Sequence, residues 1–281
     1  MPAAGEPAPS VSAPVRVLMH LSDTRFGTEQ PEVADALVRL ALSERPHVVV
    51  ASGDITQSAQ PEEFDAARRF FARLVAPTLL VLPGEHDLPL WDLPQRLLMP
   101  YVRLRRAFAT EAEPRLHTPE LRLVCINTTR RWRRHCGSIS AAQIERSARW
   151  LQEGPASALR VVVTHHPVAV PDGRDEPHLL RHAAAALQRW AGAGVHLVLG
   201  GHLLRPCFLR PDRALHTHGI WVGLAGTALS KTLPQQTLHS VQLLRHQGHT
   251  SWRLERWNHD PARQTFGLDD WIEIRAGLTL P

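Results

Sequence analysis

The chain has 281 residues, 43% of them hydrophobic, enough to bury a substantial core, and its length fits one large domain as well as two. No apolar stretch approaches the roughly 18 to 20 residues that a membrane helix needs, so a soluble protein is expected. Net charge is +5, and because Lys231 is the only lysine almost all positive charge is arginine; this favours an anionic ligand weakly and gives little support for a nucleic-acid groove.

In chain order, Met1 to Pro14 is rich in Ala and Pro, with neither a charged leader nor an apolar core. It reads as a disordered tail and not a signal peptide, which makes the cytoplasm the expected compartment. Five short Val- and Leu-rich runs follow at intervals: Val15 to Leu21, His47 to Ala51, Thr78 to Leu82, Arg160 to Val163 and Val195 to Leu199. Such runs read as buried strands. Each ends in a polar segment: Ser22-Asp23-Thr24-Arg25, Gly53-Asp54, Gly84-Glu85-His86-Asp87, Thr164-His165-His166-Pro167 and Gly200-Gly201-His202. The carboxyl edge of an open α/β sheet is where ligands are held, and Asp, Glu and His together suit divalent metals.

Between the first strands, Pro31 to Arg45 places Val33, Ala34, Leu37, Leu40 and Ala41 on one helical face, and Pro61 to Val75 does the same with Phe64, Ala67, Phe71 and Leu74. Two βα units therefore lead into the third strand. A helical stretch from Leu93 to Phe108 is interrupted by Pro100, and the strand Leu121 to Asn127 follows. The cluster Arg130-Arg131-Trp132-Arg133-Arg134 has the composition of a phosphate contact, although a solvated loop is the plainer reading. Ser140, three residues before Gln143, has capping-box spacing and starts a helix to about Glu153. A further helix is expected from Pro177 to Trp190. Ile220 to Leu224, Leu238 to Arg245 and Thr250 to Trp257 then read as strands without long helices between them, which predicts a second, more antiparallel sheet. Cys125, Cys136 and Cys207 lie at no metal-ligand spacing and fit reduced thiols.

The five polar segments, in this order, resemble the calcineurin-like metallophosphoesterases, whose pattern runs D-x-H, G-D, G-N-H-D/E, H and G-H-x-H. The likeness is greatest to the bacterial branch that includes cyclic nucleotide and glycerophosphodiester phosphodiesterases, and it continues through Gly226-Thr227-Ala228. It implies an α/β fold, a four-layer αββα sandwich of two stacked mixed sheets, with the domain over 15–258 and a C-terminal extension over 259–281. It also implies a metal-dependent phosphoester hydrolase, a phosphodiesterase or phosphatase acting on a small phosphoester or nucleotide with Mn, Fe or Zn. Carried over by position, Asp23, Asp54, Glu85, His165 and His202 are the metal ligands, with His166 an alternative to its neighbour, and His86, Asp54 and Arg25 are the catalytic groups.

Three positions depart from that pattern. Arg25 and Leu204 stand where the family has the two imidazoles of its first metal site, and Glu85 replaces Asn. The turn Ser230 to Gln236 lacks the Arg- and Asn-rich character usual in the branch. A one-metal site with Arg25 as partial substitute is the resulting expectation. The alternative is a catalytically silent member that uses the remaining pocket to bind a nucleotide or a protein partner; taken singly, Asp23 and Asp54 also read as simple caps of turns or helices.

Overall fold

Alternation of apolar side chains sets the layers. The computed structural model describes residues 14–90, 92–132, 136–211, 219–234 and 236–277. In it β1 (Val17–Leu21), β2 (Val48–Ser52) and β3 (Thr78–Leu82) run parallel, joined by α1 (Pro31–Glu44) and α2 (Pro61–Arg73). Both helices begin on proline, whose fixed φ and missing N–H suit a first helical turn. Along β1, Met19 and Leu21 turn toward the layer containing Val33, Leu37, Phe64 and Phe71, while Leu18 turns the other way. Successive strand residues point to opposite faces, so β1 is buried on both.

The second sheet comprises β4 (Arg115–His117), β5 (Leu121–Cys125), β6 (Leu159–Val163), β7 (Leu197–Gly200), β8 (Cys207–Leu209) and β9 (Trp221–Leu224), in the order β4-β5-β6-β7-β9-β8. Leu123, Val161, Val163 and Leu199 meet Leu18, Val50, Leu80 and Leu82 between the sheets. On its outer face Val124, Val162 and Val198 pack with residues of α5 (Ala141–Gln152) and α6 (Ala183–Ala191). Helices thus flank two mixed sheets, the αββα order expected. The Ser140 cap forms as predicted: its hydroxyl accepts from Gln143 N, and Gln143 Oε1 accepts from Ser140 N at 3.0 Å. Pro100 divides the next predicted helix into α3 (Leu93–Leu98) and α4 (Val102–Phe108).

Two expectations are corrected. The C-terminal strands β10 (Ser240–Gly248), β11 (Ser251–Asp260) and β12 (Thr265–Arg275) do not form a second sheet; β10 pairs antiparallel with β1, giving the first sheet the order β12-β11-β10-β1-β2-β3. Leu244, Trp252 and Leu254 continue the inter-sheet layer, and Val241 and Leu243 continue the helix-side layer. Residues 259–275 complete the β11–β12 pairing as the edge of that sheet. Nor is 177–190 one helix: a 3-10 turn, Gly173–His178, precedes α6, and His182 between them has φ 69°. Leu180 N bonds Pro167 O and Arg181 bridges Ser138, so this stretch is tied to neighbouring chain in a form no helix can hold. The expected tail up to residue 13, Arg133 and Arg134 of the basic cluster, Gln235 and residues 278–281 lie outside the described residues. Among those described, no helix is long and apolar enough to cross a membrane.

One buried polar link crosses the layers. Gln242 donates to Leu224 O of the other sheet at 3.1 Å, so its Oε1 accepts from His20 Nδ1 at 2.9 Å, and His20 Nε2 accepts from Ser52 Oγ at 2.8 Å. The burial of His20 pushes it down to about 4, so it is held neutral.

Candidate metal centre

The loops leaving β1, β2, β3, β6 and β7 converge at one edge, as carboxyl ends of parallel strands do. Asp23 N bonds Gly53 O at 3.1 Å and Arg25 N bonds Asp54 O at 3.0 Å, stitching the first loop to the second. Asp23, Arg25, Asp54 and His202 have φ of 53°, 45°, 50° and 69°, all left-handed. Such strain clusters where surrounding structure enforces it, at about 1 to 3 kcal/mol per residue, and Asp and His bear it better than most. The packing leaves no room to relax. A Cβ on Gly53, itself at φ 96°, would meet His165 Nδ1 at 2.5 Å, and one on Gly84 would meet Asp54 Oδ1 at 2.1 Å.

Asp54 is fully buried and divides its two oxygens. Oδ2 accepts from Arg25 Nη2 at 2.9 Å, while Oδ1 accepts from His86 N at 3.0 Å and lies 3.5 Å from His165 Nε2. The same Arg25 nitrogen is 3.5 Å from Asp23 Oδ1. Asp23 Oδ2 accepts from Ser22 Oγ at 2.7 Å and from His202 N at 3.0 Å, joining the first loop to the last. Arg25 is therefore no surface arginine; its side chain is 12% exposed and one nitrogen faces both carboxylates.

On the other side of Asp54 lies Glu85. Its Oε2 is 2.9 Å from His165 Nε2 and 3.5 Å from His166 Nε2, and its Oε1 is 2.9 Å from His202 Nδ1. Burial pushes Glu85 up, but the imidazoles of His165 and His202 outweigh it and hold the carboxyl well below its usual range. Burial pushes Asp54 up and Glu85 adds to this, more than His165 and Arg25 offset. For His165, burial is outweighed by Asp54 and Glu85, and the ring is pushed up to about 10. Burial, with His165 and His202 beside it, drives His166 well below its ordinary value, so that ring is neutral.

These donors fit a divalent cation. His165 Nδ1 is 2.7 Å from Ser52 O, and a carbonyl only accepts, so Nδ1 carries the hydrogen. Nε2 of the neutral ring is then a bare lone pair facing carboxylate oxygens, an arrangement that demands a proton or a metal between them. His202 Nδ1 is likewise buried 2.9 Å from Glu85 Oε1, a second nitrogen-to-carboxylate approach that calls for a proton or a metal between the atoms. The ligand atoms of Glu85, His165 and His202 lie within 4.8 Å of one another, a span suited to metal bonds of about 2.0 to 2.2 Å. Asp23, Asp54 and His165 form a second group of the same compactness, but there the Arg25 guanidinium stands against both carboxylates and cannot be a ligand.

Sequence reasoning found every residue of this cluster but one. His178 Nδ1 lies 3.0 Å from His202 Nε2. No sequence signal marks it, since it is one of 17 histidines and falls where a helix was expected. Arg130 Nη2 donates to Gln143 Oε1 of α5 at 2.8 Å and Nη1 to Thr129 O at 2.8 Å, so the first arginine of the basic cluster makes contacts within the fold.

Asp87 organises the edge without facing it. It accepts from Ile55 N, Thr56 N, Thr56 Oγ1 and Gly84 N at 3.1, 2.8, 2.9 and 2.8 Å, and is 1% exposed. Asp87→Ala leaves these buried donors unpaired, at about 1 to 3 kcal/mol for each one that finds no water. Urea unfolding of the metal-free variant is expected to show a midpoint lowered by the equivalent of about 3 kcal/mol or more.

Comparison with known proteins bears on the family and the fold. Residues 17–206 match the family model for the calcineurin-like phosphoesterase domain. The glycerophosphodiester phosphodiesterase GpdQ of Enterobacter lignolyticus is 39% identical over 82 residues, covering 25% of this chain and 29% of that protein, so the match spans less than a third of the relative. Among solved structures, the purple acid phosphatase PPD1 of yellow lupin (Lupinus luteus) superposes with a TM-score of 0.67 at 13% identity, over 94% of this chain and 54% of that one. Vps29 of Chaetomium thermophilum does so with a TM-score of 0.52 at 10% identity, over 94% of this chain and 97% of that one. At these identities the two structures speak for the fold alone.

Proposed function

Since this chain belongs to the calcineurin-like phosphoesterases, we propose that it is a phosphoester hydrolase whose site holds one divalent metal and uses Arg25 where the family holds another. The observation that carries this reading is the single Arg25 nitrogen facing Asp54 Oδ2 at 2.9 Å and Asp23 Oδ1 at 3.5 Å, beside converging Glu85, His165 and His202 donors. Mn, Fe or Zn suits this ligand set. Charge supports the count: Asp23, Asp54 and Glu85 oppose one guanidinium, and a single divalent ion brings the formal sum to about zero. The likeness to a glycerophosphodiester phosphodiesterase favours small phosphodiesters as substrates, and three free cysteines fit a cytoplasmic setting.

Asp54, Glu85, His165 and His202 would hold the metal, with His166 turning its Nε2 toward Glu85 from outside. When bound, such an ion supplies Lewis-acid polarisation of a phosphoryl oxygen and a water of lowered pKa. Arg25 adds fixed positive charge for the non-bridging phosphate oxygens. His86 Nδ1 donates to Gln57 O at 2.8 Å, which orients the ring; Nε2, 3.9 Å from Asp54 Oδ2 on a side chain 28% exposed, is the nitrogen left to face the site, and in the imidazolium form it would give its proton to the leaving oxygen. His86→Ala is expected to lower kcat by about 10²- to 10⁴-fold on an alkyl diester. On a p-nitrophenyl ester, whose leaving group needs no proton, the loss shrinks, and paired kinetics on the two substrates check this.

Metal analysis of the purified protein and a panel of phosphodiesters and monoesters with Mn²⁺ test the proposal. One tightly bound equivalent and Mn²⁺-dependent turnover are expected. Two tightly bound equivalents would overturn the one-metal site. Absence of turnover across the panel would favour the silent reading, a nucleotide- or partner-binding protein, which the replacement of two imidazoles by Arg25 and Leu204 also supports.

A further inference from the structure

We infer that His178 is a positioning residue of the metal centre, fixing the tautomer and ring angle of His202; this rests on the one-metal reading above. His202 sits on a loop in the left-handed region, its backbone N–H tied to Asp23 Oδ2 at 3.0 Å. Those restraints fix the main chain and leave the imidazole free to turn. Its ring is held instead by His178, whose Nδ1 is 3.0 Å from Nε2. The ring centroids are 5.1 Å apart at 59°, so the rings meet by a directional nitrogen-to-nitrogen contact and not by stacking.

The direction of that hydrogen bond decides what His202 can do. If His178 were the donor, the neutral His202 ring would carry its hydrogen on Nδ1 and point it at Glu85 Oε1. That hydrogen would be held against Glu85 Oε1, 2.9 Å away, and Nδ1 would have no lone pair left for a cation. With His202 Nε2–H donating to His178 Nδ1, the Nδ1 lone pair faces the space shared with Glu85 and His165. This is the tautomer a ligand needs, and a second residue fixing it raises ligand basicity and removes the entropy of a free ring. His178 is itself braced: its 3-10 turn, Gly173–His178, is bound to the His202 loop by ion pairs from Arg205 to buried Asp175 and, at 3.8 Å, to Asp172. The turn therefore forms an outer wall of the site, linked to the loop by hydrogen bond and charge together.

His178→Ala removes the acceptor; His178→Asn retains one at the equivalent position. Each full-length protein, stripped of metal and verified by near-ultraviolet circular dichroism to be folded, is titrated with Mn²⁺ in a calorimeter. Expected are a Kd raised about 10- to 100-fold in His178→Ala and within about 3-fold of the original in His178→Asn. Equal affinities of the original protein and His178→Ala would overturn the inference while leaving the one-metal site standing. Weak binding by both variants would overturn it too, by showing that the ring's bulk matters and its acceptor does not. An original protein that takes up no Mn²⁺ would overturn the site and this inference together.

Discussion

Asp54→Asn is expected to abolish tight Mn²⁺ uptake and to lower turnover on any phosphoester substrate by about 10³-fold or more, a loss of about 4 kcal/mol in transition-state stabilisation. The reason is the division of its oxygens. One faces His86 N and His165, the other Arg25, so the carboxylate is shared between the cation site and its guanidinium neighbour. An amide keeps the size and one acceptor, but it has one less charge, and turning its nitrogen toward Arg25 sets donor against donor. Stability is expected to move little. Asp54 is fully buried and pushed up by burial and by Glu85, so removing its charge relieves repulsion while losing the Arg25 contact. Melting of the metal-free variant is therefore expected within about 4 °C of the original, equivalent to about 1 kcal/mol or less. Mn²⁺ calorimetry, steady-state kinetics and a thermal scan separate these effects, and full turnover in the variant would remove Asp54 from the proposed chemistry.

The site was legible in the sequence because its geometry comes from topology. A strand that ends in Gly53-Asp54 or Gly84-Glu85 places the acidic residue at a sheet edge whatever the rest of the chain does, and five such ends in order bring their loops together. The αββα layering was legible for the same reason, since β1 to β3 and β5 to β7 are short apolar runs with helices of matching period between them. What failed depended on partners distant in sequence. β10 reads as a strand, but whether it joins β1 or opens another sheet is decided by which layers Leu244, Trp252 and Leu254 fill. The break after His178 was hidden because Pro177 to Trp190 has helical composition, while a bond from Leu180 to Pro167 and a bridge from Arg181 to Ser138 override that local preference. His178 faces His202 only as a consequence of that break.

Replacing Arg25 and Leu204 together by histidine is expected to raise bound Mn²⁺ from one equivalent to two and turnover by about 10- to 100-fold, since two ions clamp both the attacking and the leaving oxygens where one does not. Backbone geometry permits it: Arg25 and Leu204 have φ of 45° and 57°, and histidine already occupies φ 69° at His202. Removing the guanidinium frees Asp23 Oδ1 and Asp54 Oδ2, both on fully buried side chains, for a second cation. The same change has a cost without metal. Burial opposes the charge on Arg25, but Asp54, Asp23 and Glu85 outweigh this and push its pKa up, so the guanidinium offsets three carboxylates that histidine offsets only if protonated. The metal-free double variant should accordingly melt below the original and regain more on Mn²⁺ addition, because a ligand that binds only the folded state stabilises it in proportion to ln(1 + [L]/Kd). Arg25→Ala is the control. It removes the charge without supplying a ligand, and its turnover is expected to fall below the original while that of the double variant rises. Paired metal analysis and melting curves decide the matter: a double variant that still binds one equivalent would mean that Arg25 does not stand in a metal's place.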